Sequence, residues 1–315
     1  MNLQLKFEIG KSNIELSYDD SLLLIGSCFS DSIGDKFEQG GFNCESNPFG
    51  TLFHPIALTN CLQSALTENK NVSIYQRDDL YFSWDSSSVI YATSEAKLIE
   101  SVLESRNRLA ERIKSSRLIC ITLGTAWEYK LKSSGMVVGN CHKAPQNLFE
   151  KSLTSIEEMR KEWESALTSI KSVNPTVKIV FTLSPVRHIK DGLIENNRSK
   201  ARLLELIQQL SENHKIIYFP SYEIAVDELR DYRFYEEDLI HPNKIAIDYI
   251  WNRFIEFTFA ERTKAIYEER NQLLSQLNHK SLHPESEVDK KRLVLVERKL
   301  EEFGSRFPEV KISRI

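Results

Sequence analysis

Two short segments of the sequence hold residue types that together can perform acyl chemistry. Ser27 and Cys28 follow an apolar run near the start, and Asp238 precedes His241 by three residues near the other end. A thiol or hydroxyl attacks an acyl carbon when a base takes its proton. Histidine suits this task because it titrates near neutral pH, and a nearby carboxylate fixes its tautomer. Taken alone, each segment also fits a plain turn before a helix.

The position of Cys28 favours its use as a nucleophile. The residues before it read as a strand and those after it as a helix, so the thiol lies at a helix N-terminus. Backbone N–H groups and the helix dipole favour an anion there, and we expect them to lower the thiol pKa. The same N–H groups would hold an oxyanion if Ser27 were the attacking residue.

Four apolar runs predict the strands that position these groups, and stretches of helical periodicity separate them. Uniformly apolar strands that alternate with helices indicate a parallel sheet covered on both faces. We therefore predict a three-layer α/β/α domain with a central, mainly parallel sheet. The predicted strands are 21–25, 118–123, 177–183 and 215–219.

The end of the chain changes character. Residues 243–279 read as one long helix with an apolar stripe on its first half, and a further helix follows the break at Pro284. We expect a domain over residues 1–260 and a C-terminal helical hairpin over residues 261–315. The hairpin would pack on the domain or on a second copy of the chain, which makes a homodimer possible.

Composition excludes several classes of function. The 315 residues carry a net charge of −4, which does not suit a nucleic-acid or anionic-membrane surface. The five cysteines are irregularly spaced without a CxxC pair, so we expect neither a disulfide framework nor a metal site. The start lacks the pattern of a signal peptide, and no run is long enough to span a membrane. We expect a cytoplasmic protein without a cofactor.

Several strings resemble the GSCFA family, which is grouped with the SGNH/GDSL hydrolases. The string 25–30 is similar to the family signature, with Ser30 where the family name has alanine, and the resemblance extends roughly from Leu22 to Phe257. It implies an SGNH-type fold and an ester-hydrolase site. The other matching strings are Asn47-Pro48-Phe49-Gly50, Thr125-Ala126-Trp127-Glu128-Tyr129, Asn140-Cys141-His142-Lys143, Ser184-Pro185-Val186-Arg187-His188 and Asp238-x-x-His241-Pro242.

The chain departs from the SGNH pattern at the nucleophile. That pattern begins Gly-Asp-Ser-Leu with serine as the nucleophile, and an ungapped alignment places Cys28 at the serine and Ser27 at the aspartate. Three interpretations remain: a Cys28 nucleophile, a Ser27 nucleophile on a shifted turn, or an inactive site. We favour Cys28, because thiolates attack acyl carbons well.

The resemblance also implies oxyanion donors from two further loops. Gly50 is the candidate for the family's glycine N–H, and Gly124 and Thr125 follow the second predicted strand. Ala126 occupies the place of the usual asparagine. A lost oxyanion donor costs roughly 3 kcal/mol of barrier, so another group should replace it.

Three more residues are candidates for the site. Asn140 and His142 could supply the missing donor, although the same segment also fits a solvated loop. Arg187 could bind a substrate carboxylate or phosphate, although an ordinary salt bridge is the simpler interpretation.

The sequence therefore predicts a hydrolase acting on a small acyl ester, such as an O-acetyl group, on a small molecule or carbohydrate. His241 would act as base and then acid, and Asp238 would orient it. An acyltransferase is a close variant. A non-catalytic binding module on the same scaffold is the alternative from a different class, because fold does not fix function.

Overall fold

A computed structural model describes residues 5–67 and 69–312. The strands and helices alternate through most of the chain. The strands are β1 (Ser21–Gly26), β2 (Asn43–Ser46), β3 (Ile74–Arg77), β4 (Leu80–Ser83), β5 (Tyr91–Ala92), β6 (Leu118–Leu123), β7 (Trp127–Leu131), β8 (Phe149–Leu153), β9 (Lys178–Leu183) and β10 (Ile216–Phe219). The helices are α1 (Cys28–Gln39), α2 (Pro55–Leu66), α3 (Glu95–Ser115), α4 (Ile156–Val173), α5 (Leu193–Asn213), the short α6 (Ser221–Glu223), α7 (Lys244–Thr258), α8 (Glu261–Asn278) and α9 (Glu287–Arg306).

The central sheet has five parallel strands in the order β10-β9-β6-β1-β2. The four strands predicted from apolar runs are confirmed. The fifth, β2, was not predicted because its sequence, Asn-Cys-Glu-Ser, is polar and it forms an edge.

Helices cover both faces of this sheet, which confirms the predicted three-layer α/β/α class. Side chains alternate along each strand, so Leu23 and Ile25 pack with α2, α3, α4 and α5. Leu22 and Leu24 face the other way, into a core formed with α1, α7 and α8. The side chains of all four of these strand residues are buried.

Two small antiparallel sheets lie beyond the carboxyl ends of the central strands. One consists of β3, β4 and β5, and the other of β7 and β8. Backbone hydrogen bonds fasten the first to the loop after β2, since the Ser87 N–H donates to the Phe49 carbonyl at 3.0 Å. The segment 72–93 is thus built into the edge of the sheet where the strands end.

The prediction of one helix over residues 243–279 is wrong. Helix α7 ends at Thr258 and α8 begins at Glu261. Phe259 is extended and fully buried, and its ring lies 5.8 Å from that of Trp251. The Ala260 N–H donates to the Leu16 carbonyl, so tertiary contacts break the helix where the sequence has neither glycine nor proline.

The C-terminal helices pack on the domain. Ile266 and Leu273 of α8 and Phe303 of α9 are buried in the same core as α1 and α7. An ion pair at 2.7 Å between Arg306 and Glu269 joins α9 to α8. Among the helices that the structure describes, none has both the length and the hydrophobicity that crossing a membrane requires.

Candidate functional site

The turn after β1 is fixed by hydrogen bonds from three directions. The Ser27 N–H donates to the Thr122 carbonyl of β6 at 3.1 Å, and the Ser30 and Thr122 hydroxyls are 2.8 Å apart. The Gly26 N–H donates to Asn47 Oδ1 at 2.8 Å, and the Asn47 amide donates to Asp31 at 2.8 Å. The first residue of α1 is therefore held at the edge where β1 and β6 end.

Ser27 is the N-cap of α1. Its side chain is fully buried, and Oγ accepts a hydrogen bond from the Phe29 N–H at 3.3 Å. Capping hydroxyls of this kind satisfy a donor that the helix itself leaves free. This geometry gives Ser27 a structural role, whereas the neighbouring Cys28 is only half-buried.

We expect Ser27→Ala to lower the free energy of unfolding by about 1 kcal/mol and to keep most ester turnover. Ser94→Ala, which removes the N-cap of α3 away from the turn, is the matched control for stability. Urea denaturation and ester hydrolysis would be measured on the same preparations. A folded Ser27→Ala variant without turnover would instead identify Ser27 as the nucleophile.

The pKa of the Cys28 thiol is raised, whereas the sequence predicted a lowered value. Burial is the largest cause, and the nearby Asp31 carboxylate is the next. The N–H groups of Cys28 and Phe29 act in the opposite direction, as expected at a helix N-terminus, and so does Lys200. The thiol thus needs a further group to form a thiolate near neutral pH.

Asp238 and His241 form a pair on the loop before α7. Asp238 Oδ2 lies 2.7 Å from His241 Nδ1, and Oδ1 accepts the backbone N–H groups of Ile240 and His241. These hydrogen bonds lower the Asp238 pKa to about 2, so the carboxylate stays ionised and fixes the imidazole orientation. The His241 side chain remains 48% exposed.

Arg187 holds this loop against the loop after β9. Its guanidinium donates to the Leu239 carbonyl at 3.0 Å and lies 4.0 Å from the Tyr235 ring centre, while its N–H donates to the Ile240 carbonyl at 3.3 Å. Arg187 is therefore engaged with the His241 loop through one of its guanidinium N–H groups. In the described residues, no hydrogen bond joins Cys28 to His241.

The backbone N–H groups that were expected to hold an oxyanion already donate to carbonyls within the protein. The Gly50 N–H donates to the Asn47 carbonyl at 2.7 Å, and the N–H groups of Gly124 and Thr125 donate to the Phe53 carbonyl at 2.9 and 3.1 Å. By contrast, the Phe53 N–H has no hydrogen-bond partner among the described residues. Phe53 was not singled out from the sequence, and its backbone donor is a better candidate.

His142 also has a structural task. It is 1% exposed, its Nε2 lies 2.8 Å from the Ser83 carbonyl, and its Nδ1 lies 2.9 Å from the Ser88 hydroxyl. With both ring nitrogens occupied, it does not offer a donor to a substrate. Asn140 Oδ1 accepts the His142 N–H at 2.8 Å, which leaves the Asn140 amide group as the possible donor. Within the described ranges, no group of three His, Cys, Asp or Glu side chains is arranged to hold a metal.

Two further residues at the strand ends were not among the site residues predicted from the sequence. Lys200 is buried on α5, and its ammonium group donates to the Gly124 and Ser184 carbonyls. His188 Nε2 is buried without a hydrogen-bond partner among the described residues, and burial lowers the His188 pKa to about 4. The signal for Lys200 was present, because it lies in register with Leu203 and Ile207 on the apolar stripe of its helix.

A cavity of about 270 Å³ opens beside these residues. Phe53, Trp127 and Tyr129 give it an aromatic wall, and Asn140 and His188 supply polar groups. Cys28 and His241 are not among its lining residues. His188 lines the cavity, and the neighbouring charges of Lys200 and His241 add to burial in lowering the His188 pKa.

Comparisons with known proteins identify the family. No curated protein matches the chain. A family 3 carbohydrate esterase from Talaromyces cellulolyticus is similar in structure at 8% identity and a TM-score of 0.37, covering 79% of this chain and 99% of the esterase. A Clostridium thermocellum family 3 carbohydrate esterase matches at 13% identity and a TM-score of 0.33, with 79% and 98% covered. At these TM-scores the likeness supports no inference about activity. The family model "GSCFA family" matches residues 21–254, and the chain belongs to this family.

Proposed function

We propose that the chain is an acyl hydrolase that cleaves a small ester with Cys28 as nucleophile. The observation that carries the proposal is the placement of a half-buried thiol at the N-terminus of α1, at the strand-end edge to which Arg187 also fastens the Asp238–His241 loop. A nucleophile and an oriented imidazole at one edge of a parallel sheet are the parts that ester cleavage requires.

The proposed reaction has two steps. In the first, His241 takes the proton of the Cys28 thiol as the sulfur forms a bond to the acyl carbon, and the alcohol leaves with that proton as the bond between the acyl carbon and its oxygen breaks. Water then attacks the thioester and gives a proton to His241, while the bond between the sulfur and the acyl carbon breaks. The N–H groups of Cys28 and Phe53 are the candidate donors to the oxyanion of each step.

This function is tested by detecting the acyl enzyme, in which the acyl group is bound to the Cys28 sulfur. A chromogenic short-chain ester would be mixed with the protein and quenched, and the Cys28 peptide would be examined by mass spectrometry for one added acyl group. We expect His241→Ala to slow the build-up of this species roughly 10²–10⁴-fold, because the leaving alcohol loses its general acid. Acylation of another residue, or none above background, would contradict the proposal.

Two other experimental outcomes would point to a different function. An added acceptor alcohol that competes with water for the acyl group would indicate an acyltransferase. The raised thiol pKa and the missing hydrogen bond between Cys28 and His241 favour a binding module as the second candidate. In that case esters would bind to the protein, as calorimetry would detect, without any acyl group on Cys28.

A further inference from the structure

Two side-chain acceptors in the wall of the aromatic cavity are already engaged. Asn140 Oδ1 accepts the His142 N–H at 2.8 Å and the Ser88 hydroxyl at 3.1 Å. His54 Nδ1 accepts the Ile56 N–H at 3.2 Å. Neither side chain therefore has an acceptor that is free for a ligand in the cavity.

The donors of the same wall are free to a greater extent. Besides the Phe53 N–H, the side-chain N–H groups of Asn140 make no hydrogen bond among the described residues. The Lys190 ammonium has one polar contact there, to the Tyr129 hydroxyl at 3.5 Å, so at least two of its three N–H groups remain. Tyr129 joins the two segments, because its carbonyl accepts the N–H of Val138, two residues before Asn140. Free donors around a cavity suit a ligand with acceptor atoms.

The mouth of the cavity also carries one positive charge without a partner. Lys151 and Asp191 form an ion pair that is neutral as a whole. Lys190 is exposed and forms no ion pair among the described residues. Burial lowers the pKa values of His54 and His188 to about 4, so both rings are neutral near neutral pH. One unpaired cation favours a ligand that carries one negative charge.

The wall gives such a ligand an apolar surface as well. Phe53, Trp127 and Tyr129 line the cavity. Lys151 Nζ lies 5.0 Å from the Trp127 ring centre and 5.4 Å from the Tyr129 ring centre, and these cation–π contacts help to hold the rings in place. A cavity of roughly 150 Å³ can hold benzene. The volume of about 270 Å³ therefore leaves room for a six-membered ring and a carboxylate.

We propose that the aromatic cavity binds a small carboxylate that carries an apolar ring. The carboxylate accepts hydrogen bonds from the Lys190 ammonium and the Asn140 amide, and the ring packs on the aromatic wall. A phosphate monoester carries more negative charge than one unpaired cation balances. The inference does not rest on the proposed function, because neither Cys28 nor His241 lines the cavity.

Calorimetry with a matched pair of ligands tests the site. Phenylacetate and phenylacetamide have nearly the same shape, but only the first is charged. We expect the full-length protein to bind phenylacetate at least about tenfold more tightly, because hydrogen bonds between charged groups are the stronger ones. Lys190→Met should remove most of this preference and leave the binding of phenylacetamide unchanged. Lys190 is exposed, so the substitution should not disturb folding.

Lys132→Met is the matched control. Lys132 is also exposed and directly follows β7, but it does not line the cavity. The variant loses one positive charge and should keep the preference for phenylacetate. Equal affinities of the wild-type protein for the two ligands would overturn the proposal, and so would wild-type binding of phenylacetate by Lys190→Met. Tighter binding of phenyl phosphate would overturn the choice of a carboxylate.

Alkylation of Cys141 locates the bound ligand. Cys141 is half-buried and lines the cavity, whereas Cys28 is half-buried and does not. The protein would react with iodoacetamide, and both cysteine peptides would be followed by mass spectrometry. Saturating phenylacetate should slow the alkylation of Cys141 several-fold and leave the rate at Cys28 unchanged. Undiminished alkylation of Cys141 would place the ligand elsewhere and overturn the proposal.

Carboxylate binding and ester cleavage can fail independently. If phenylacetate binds and protects Cys141 while no ester acylates Cys28, the carboxylate site stands and the proposed hydrolase falls. If esters acylate Cys28 and phenylacetate does not bind, the hydrolase stands and the carboxylate site falls.

Discussion

Cys28→Ala should reduce the ester-hydrolysis kcat by at least about 10³-fold, since removal of a nucleophile leaves only binding and oxyanion contacts to act on the ester. The loss should appear in kcat rather than KM, because the thiol forms its bond to the acyl carbon only during the reaction. Steady-state hydrolysis of short-chain chromogenic esters would measure both constants.

Cys141→Ala is the matched control for this experiment. Cys141 is also half-buried and lines the aromatic cavity, so it would account for any unspecific reaction of a thiol with the ester. We expect this variant to keep wild-type turnover. Equal turnover by wild type and Cys28→Ala would remove Cys28 from the mechanism.

Gly26→Ala should be among the most damaging single substitutions in the chain. Gly26 has φ +129°, and a Cβ there would lie 2.1 Å from the Thr122 carbonyl oxygen. The strained backbone and the overlap each cost about 1–3 kcal/mol, so we expect the free energy of unfolding to fall by roughly 3 kcal/mol or more. The hydrogen bond from Ser27 to the same oxygen should also be lost, which would displace Cys28. Urea denaturation and Cys28 alkylation would measure the two effects.

Gly135→Ala is the control that measures the cost of backbone strain without the cost of atomic overlap. Gly135 also has a positive φ, +72°, but a Cβ there would meet nothing within 4 Å. Its substitution should therefore cost only the backbone strain, about 1–3 kcal/mol. If both variants lost equal stability, the contact with Thr122 would not be the reason for the glycine.

The layers of the fold could be predicted because strands buried on both faces consist of unbroken apolar residues. Residues 118–123 and 177–183 carry that signal clearly, and both form strands of the sheet. The polar edge strand β2 carries no such signal, since it is held by its parallel pairing with β1. The end of α7 was missed for a similar reason, because it depends on where Phe259 packs.

The predictions for the site also differ according to whether they depend on neighbouring residues or on residues far along the chain. A turn that places Cys28 at a helix N-terminus is a local property, and so is the three-residue spacing between Asp238 and His241. Whether a donor is free depends on distant partners. Gly50 and His142 looked suitable in the sequence, but the structure gives their donors to Asn47 and Ser83.

The hydrogen bonding of residues 12–16 to residues 257–258 has a consequence for synthesis on the ribosome. The N–H groups of Ser12 and Leu16 donate to the carbonyls of Phe257 and Thr258, so this segment waits for one made almost 250 residues later. Until then, the sheet face that carries Leu22 and Leu24 lacks α7 and exposes apolar side chains. The nascent chain should therefore bind hold-type chaperones through this face, and it should complete folding only after α7 has left the exit tunnel.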